Sequence, residues 1–451
     1  MPKPIVHIVH HIDTEGPLCE PLNELFVRLE KTLGHPINLP PTKDSLKQLQ
    51  SKDFIFINLE VNTLLKKLVD PFYLNFKTDW GELDRMLDRI MASDYRNNFK
   101  DSFGNGWVFN WHLLDHVGFE TNPRFRAMGY SHVFNFYKNK IETTQSYQDS
   151  LQWHFHPIPF SKAANISATS YTNSMHELQQ VVCRRLIDHN WFPVVNRAGF
   201  HTVRPDSNWW LEQWLPFDPS NQAMATDNVA FSDNINGRFG DWRGAPDDWS
   251  LYNPDWLDWR KKGNMKRTIA RCLNLNTRFR NIDSTELHKA FKRAETTGKD
   301  VYVGIDNHDY REMSTEMEDF YAMLLPVANS YSNVDFAFSE TISAFRKCLD
   351  YQDKDIISQK LNFDIALDNE TLSVQLINGE LFGPQPFLGI LTKTGQYYTD
   401  NFDFGLRSDD GVNRTFYYSF DYLTIDIKNI SQIAVASNDK FGNTCIKRIK
   451  L

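Results

Sequence analysis

Residues 7–17 run His7-Ile-Val-His-His-Ile-Asp-Thr-Glu-Gly-Pro17. An apolar, β-branched run (Ile5, Val6, Ile8, Val9, Ile12) stops at Asp13, Glu15, Gly16 and Pro17. This pattern predicts a first strand that ends in two carboxylates and a turn. In α/β enzymes the carboxyl ends of the strands carry the chemistry. Residues two apart on a strand face the same side, so Asp13 and Glu15 can share a site. One can hold a metal while the other takes a proton from water. The same residues also suit an ordinary turn, since Asp, Thr, Gly and Pro are turn formers. The choice between the two depends on the rest of the chain.

The chain has 451 residues, enough for two or three domains. Its 41% hydrophobic and 24% charged content is that of an ordinary globular protein. A net charge of −8 argues against a nucleic-acid binder, which needs clustered Lys and Arg. Aromatic residues make up 14%, which suits a core and also suits platforms for sugar rings. Cys19, Cys183, Cys272, Cys348 and Cys445 are scattered, odd in number and without CxxC spacing. They read as reduced thiols rather than as a disulfide framework or a Cys-based zinc site. The start, Met-Pro-Lys-Pro-Ile-Val-His, lacks the long apolar stretch of a secretory leader, and no apolar run reaches membrane-spanning length. The expectation is a cytoplasmic protein with no stable membrane span.

Apolar spacing predicts helices over 20–34, 59–69, 79–94, 173–190, 284–297, 315–328 and 340–349. It also predicts a helix from Pro205 to Leu215, and a helix cap at Thr42. Strands are predicted over 107–112, 151–156, 192–196, 300–305 and 333–338. Strands alternating with helices imply a parallel α/β architecture over residues 1–350, either barrel or open sheet. Residues 217–280, rich in Asp, Asn, Trp and Pro, show little periodicity. Beyond 351 short alternating runs (372–377, 387–391, 416–420, 423–427) predict an all-β sandwich to residue 451.

Polar groups gather at the predicted strand ends. After Asp13 and Glu15 come His154 and His156, two imidazoles on one face of a strand, followed by Pro157. Such a pair can chelate one metal. Their neighbours Trp153 and Phe155 equally suit an aromatic cluster. Another strand end supplies Arg197, with His201 four residues on, and the last supplies His308 between Asp306 and Asp309. Two histidines and a carboxylate make a three-ligand site with an open position. His11 shares the side of Asp13 but reads as structural, and His112 and His116 read as core or surface residues.

Taken together, Asp13-Thr-Glu-Gly-Pro, His154-Phe-His-Pro, Arg197-Ala-Gly and Ile305-Asp-Asn-His308 resemble the motifs of the polysaccharide deacetylase family, the NodB-like carbohydrate esterases, in their order over about residues 1–345. The resemblance implies a distorted (β/α)7-type barrel. It implies metal-dependent removal of an N- or O-acetyl group from a sugar. By resemblance Asp13 matches the catalytic base, and Glu15, His154 and His156 match the ligands of a divalent metal, with Zn²⁺ the expected ion. Arg197 matches the arginine that steadies the base, and His308 matches the general acid. Two departures from the family pattern stand out. Position 158 is Ile where the second metal histidine usually lies, so His156 takes that role, as in the His-x-His-Pro variants found in surface-polysaccharide gene neighbourhoods. The usual Asp-Asp pair is replaced by Asp13 and Glu15 flanking Thr14, which leaves base and ligand roles open to exchange.

A neighbouring carboxylate such as Asp306 is expected to keep His308 protonated. The Trp-rich stretch 241–259 either shapes a sugar cleft or covers the barrel. The expected partner is a carbohydrate: a nucleotide-sugar, a lipid-linked glycan or an oligosaccharide. Two other readings fit the same residues. One is hydrolysis of another C–N bond, in a formamide or cyclic amide. The other is a carbohydrate-binding protein without turnover. Oligomeric state stays open.

Overall fold

The computed structural model describes residues 2–126, 129–166, 170–226, 240–275, 277, 280–406, 411 and 414–451. Eight parallel strands form the first sheet: β1 (Ile5–Thr14), β2 (Phe109–Asp115), β3 (Ser150–Phe155), β4 (Asn196–Ala198), β5 (Phe217–Asn221), β6 (Thr268–Asn274), β7 (Val301–His308) and β8 (Asp335–Phe338). Seven of them lie in the order β4-β3-β2-β1-β7-β6-β5, and a bridge between Val195 and Phe217 brings the two ends together. The result is a nearly closed parallel barrel. The eighth strand pairs with β1 over Ile5–Ile8, whereas β2 pairs with it over His10–Thr14. The amide of Asn110 spans that fork, donating to the carbonyl of Ser339 and accepting the N–H of Thr341.

The alternation of β1 divides its side chains between two environments. Val6, Ile8 and Ile12 pack outward with Leu83, Leu87, Leu287, Phe291, Met317 and Phe320 of the covering helices. Val9 points inward, where Val195, Phe217, Ala270 and Tyr302 meet Phe345 of helix Thr341–Cys348 and close the barrel floor. Above the floor the interior turns polar. Thr341, Tyr302, His11 and His112 form one hydrogen-bonded chain that ends on the Trp153 carbonyl. Every polar group in it has a partner, as burial demands.

The helices at 22–33, 43–50 and 59–68 leave the barrel after β1 and pack on one another around Leu25, Leu29, Leu49 and Leu65. Thr42 caps the second of them, accepting the N–H of Ser45. Residues 217–280 depart from the expected irregularity, since they contain β5 and β6. The fourth strand begins at Asn196, where the expected strand was to end.

The C-terminal region holds two four-stranded antiparallel sheets. One has the order β13 (Asp403–Phe404), β14 (Thr415–Ser419), β10 (Thr371–Asn378), β9 (Asn362–Asp368). The other has the order β12 (Tyr397–Tyr398), β11 (Phe387–Thr392), β15 (Ile430–Asn438), β16 (Thr444–Lys450). Phe363, Leu372, Val374 and Phe416 of the first share a core with Leu388, Ile390, Ile433 and Val435 of the second. The outer face of the second sheet packs Phe387, Ala434 and Ala436 on Cys183, Leu186 and Ile187 of helix Met175–His189. The run 423–427 is not a strand; Asp421 accepts the N–H groups of Leu423 and Thr424 and turns the chain there. Among the described residues no helix is long and apolar enough to cross a membrane.

Candidate metal centre at the barrel mouth

Three strand ends build the centre. As the chain leaves β1, the N–H groups of Glu15 and Gly16 donate to the two carboxylate oxygens of Asp309, just past β7, at 3.0 and 2.9 Å. Tyr137 donates a further hydrogen bond to Asp309 at 2.8 Å. Gly16 turns at φ 69°, a conformation that glycine adopts without strain. These bonds aim the Glu15 side chain back across the mouth.

On β3, Trp153 and Phe155 pack outward, so His154 and His156 face the interior. The Arg197 carbonyl lies 2.8 Å from His154 Nδ1. A carbonyl only accepts, so Nδ1 carries the proton and Nε2 presents a lone pair. His156 Nε2 lies 2.9 Å from His154 Nε2, and Glu15 Oε1 lies 3.4 Å from His156 Nε2. All three donor atoms fall within 4.8 Å of one another and are buried. Tetrahedral zinc holds N and O donors about 3.3 Å apart, given bond lengths near 2 Å. The spacing and the donor types suit such an ion.

Charge around Glu15 favours its ionised form. Burial alone would raise its pKa, but Arg126, which ion-pairs with Oε2, and the hydrogen bond with His156 hold it well below the usual range. His308 Nε2 lies 3.8 Å from Glu15 Oε1 and forms the outer lip: its side chain is 22% exposed, against 2% for Glu15. Burial pulls His308 down to about 4, although Glu15 and Asp13 pull the other way. The expectation that Asp306 keeps His308 protonated is therefore corrected. Asp306 sits deeper, 2.7 Å from Arg197 Nη2, and His308 is neutral at pH 7.

Asp13 lies one layer below. Arg197 Nε donates to its Oδ1 at 2.8 Å, and His154 Nδ1 is 3.7 Å away. Burial opposes ionisation, but the Arg197 guanidinium holds the carboxyl strongly ionised. Asp13, His201 and Asp306 form a second group with donor atoms in metal-binding range. The Arg197 guanidinium contacts all three, whereas Arg126 meets Glu15 at Oε2 and leaves Oε1 facing the histidines. That leaves the first group as the better cation site. Burial pushes Asp306 up to about 7 despite Arg197.

Each expected site residue thus reaches the mouth: Glu15, His154, His156 and His308 at the top, Asp13 and Arg197 just beneath. His11 is structural, bonded to His112 and Tyr302. Trp242, Trp249 and Trp259 are buried, with Trp242 donating to the His201 carbonyl and Trp249 to that of Glu286, so these three tryptophans cover the barrel. Trp256 is exposed. The five cysteines are free thiols. Sequence reasoning missed Arg126, Tyr137 and the clamp role of Asp309. Only Asp309, beside His308, carried a strand-end signal. No protein-family model matches the chain, and no curated protein or solved structure matches it.

Proposed function

We propose that the protein is a metal-dependent hydrolase that removes an N- or O-acetyl group from a sugar or glycan intermediate in surface-polysaccharide biosynthesis. On this reading its barrel is of the polysaccharide deacetylase type. The observation that carries the proposal is the convergence of Glu15, His154 and His156 within 4.8 Å, directly above an Asp13 held by Arg197.

Glu15, His154 and His156 would hold the ion. A divalent ion, zinc by this donor set, supplies Lewis acidity and a bound water of lowered pKa. Asp13 takes a proton from the attacking water. Arg197 keeps that carboxylate aimed. His308, at the lip, gives a proton to the departing amine or alkoxide. Burial keeps His308 neutral, so the proton it delivers is the one that Asp13 takes from the water, and both groups end the cycle as they began. On this reading the substrate is a nucleotide-sugar, a lipid-linked glycan or an oligosaccharide.

The test begins with bound zinc per chain in the wild type, His154→Ala and His156→Ala. One equivalent in the wild type and loss in both variants is the expected result. Metal retained by both variants removes the site. Acetate released from acetamido-sugar nucleotides, and abolished in Asp13→Asn, supports the enzyme. Formate in its place points to a different C–N bond, and zinc binding without any acid release points to a carbohydrate-binding protein.

A further inference from the structure

His116 follows β2, the strand between those that carry Glu15 and His156. It is fully buried, and neither ring nitrogen has a hydrogen-bond partner among the described residues. Its backbone is fixed by reciprocal hydrogen bonds with Gly129, and its ring packs edge-on to Phe119 at 4.1 Å. The ring centroid lies 5.3 Å from that of His156. His156 has the complementary gap: Nε2 faces the ligand cluster, but Nδ1 has no partner among the described residues. His154 differs, since its Nδ1 is satisfied by the Arg197 carbonyl. A third orphan, Arg126 Nε, belongs to the side chain that pairs with Glu15. Arg126 is close enough for its charge to act on both His116 and His156.

We infer that His116 is the positioning residue of His156, joined to its Nδ1 through one shared water that Arg126 Nε also contacts. The inference rests on the metal centre proposed above. The donor and acceptor roles at the water are compatible, and the second His116 nitrogen stays without a partner among the described residues. With Nε2 on the metal, His156 Nδ1–H donates to the water, as does Arg126 Nε–H. The water donates one proton to the lone pair of a neutral His116. Three polar partners are what a buried water requires. Metal-ligating histidines regularly fix ring orientation and tautomer through their second nitrogen. His154 does so with a backbone carbonyl, and His156 does so through His116.

Zinc affinity, measured by competition with a chromophoric chelator, tests this in the full chain. His116→Phe is expected to bind zinc about 10–100-fold more weakly than the wild type. Its melting temperature is expected to change little, because loss of the water bridge is offset by removal of the second, unpaired His116 nitrogen. His116→Leu carries the same expectation if the larger ring does not fit. His116→Gln, which keeps a polar group, recovers most of the affinity. The visible bands of cobalt(II) in the site shift in His116→Phe as the His156 ring is released, a change that a purely packing role does not produce. Folded His116→Phe or His116→Leu with wild-type zinc affinity overturns the inference and leaves the metal centre standing. Wild-type protein that binds no zinc overturns both.

Discussion

The main-chain carbonyl of Arg197 accepts a hydrogen bond from His154, while the Arg197 side chain grips Asp13. One residue thus orients a candidate metal ligand and the carboxylate beside it through two separable parts. Arg197→Lys keeps the carbonyl and the positive charge but loses the planar fork that reaches Asp13, Asp306 and the Pro219 carbonyl. Zinc affinity is therefore expected to stay within about threefold of the wild type, while acetate release falls by about 100-fold or more. Chelator competition and a turnover assay on the same preparation check the split. Parallel loss of both would mean that the two parts act as one.

Gly199 bears on the same site from the other side. A Cβ added there would lie 2.7 Å from the Phe155 carbonyl oxygen and 2.7 Å from His156 Cδ2. The carbonyl belongs to a strand and cannot withdraw, so the imidazole has to move. Gly199→Ala is expected to cost about 1–3 kcal/mol of stability as overpacking. It should also weaken zinc binding by about tenfold through the displaced ligand. Urea denaturation and metal titration read the two effects.

Why some of this was legible in the sequence and some was not follows from particular residues. The first strand could be read because its apolar run ends on carboxylates, and β3 because His154-Phe-His-Pro alternates cleanly. The fifth strand, Phe217-Asp-Pro-Ser-Asn, reads as a loop. It is a strand whose Asp218, on the face opposite the inward Phe217, is buried against the cover and paired: it accepts hydrogen bonds from Asn196 and Ser220 and lies 3.4 Å from Arg267. The sixth hides Arg271, whose charge is met by Glu286. Strand patterns assume that burial selects apolar side chains, and buried polar pairs between a strand and its cover break that assumption. Arg126 and Tyr137 were illegible for a different reason. Neither lies at a strand end, and only the folded chain brings them to Glu15 and Asp309.

The Asp309 clamp gives a third expectation. Its carboxylate accepts three hydrogen bonds, from the Glu15 and Gly16 N–H groups and the Tyr137 hydroxyl. An amide has one oxygen for these three donors and adds an N–H₂ that needs an acceptor. Asp309→Asn should lower stability by about 1–3 kcal/mol. It should also loosen the turn that aims Glu15, so zinc affinity drops with it. Unchanged zinc affinity in a destabilised variant would show that the turn holds without the clamp.

The last expectation concerns acid. His10 is fully buried on the outward face of β1. The Trp107 indole N–H donates to its Nδ1 at 3.0 Å, and its Nε2 lies 3.0 Å from the Asn307 amide oxygen. Trp107 can only donate, so Nδ1 must remain unprotonated and Nε2–H donates to Asn307. Burial holds His10 down to about 3, although the Asn307 bond pulls upward. In the unfolded chain an ordinary histidine takes its proton near pH 6.5. Between these two values the unfolded state binds one more proton than the folded state. The stability contributed by His10 is thus complete above about pH 6.5 and drains as pH falls toward 3, at about 1.4 kcal/mol per pH unit. Removing the imidazole, as in His10→Gln, should make the variant less stable at pH 7 and reduce its acid slope by about one proton. Unfolding free energies from denaturant titrations at pH 7, 6, 5 and 4 measure both slopes, and equal slopes would show that His10 takes up its proton without unfolding the barrel.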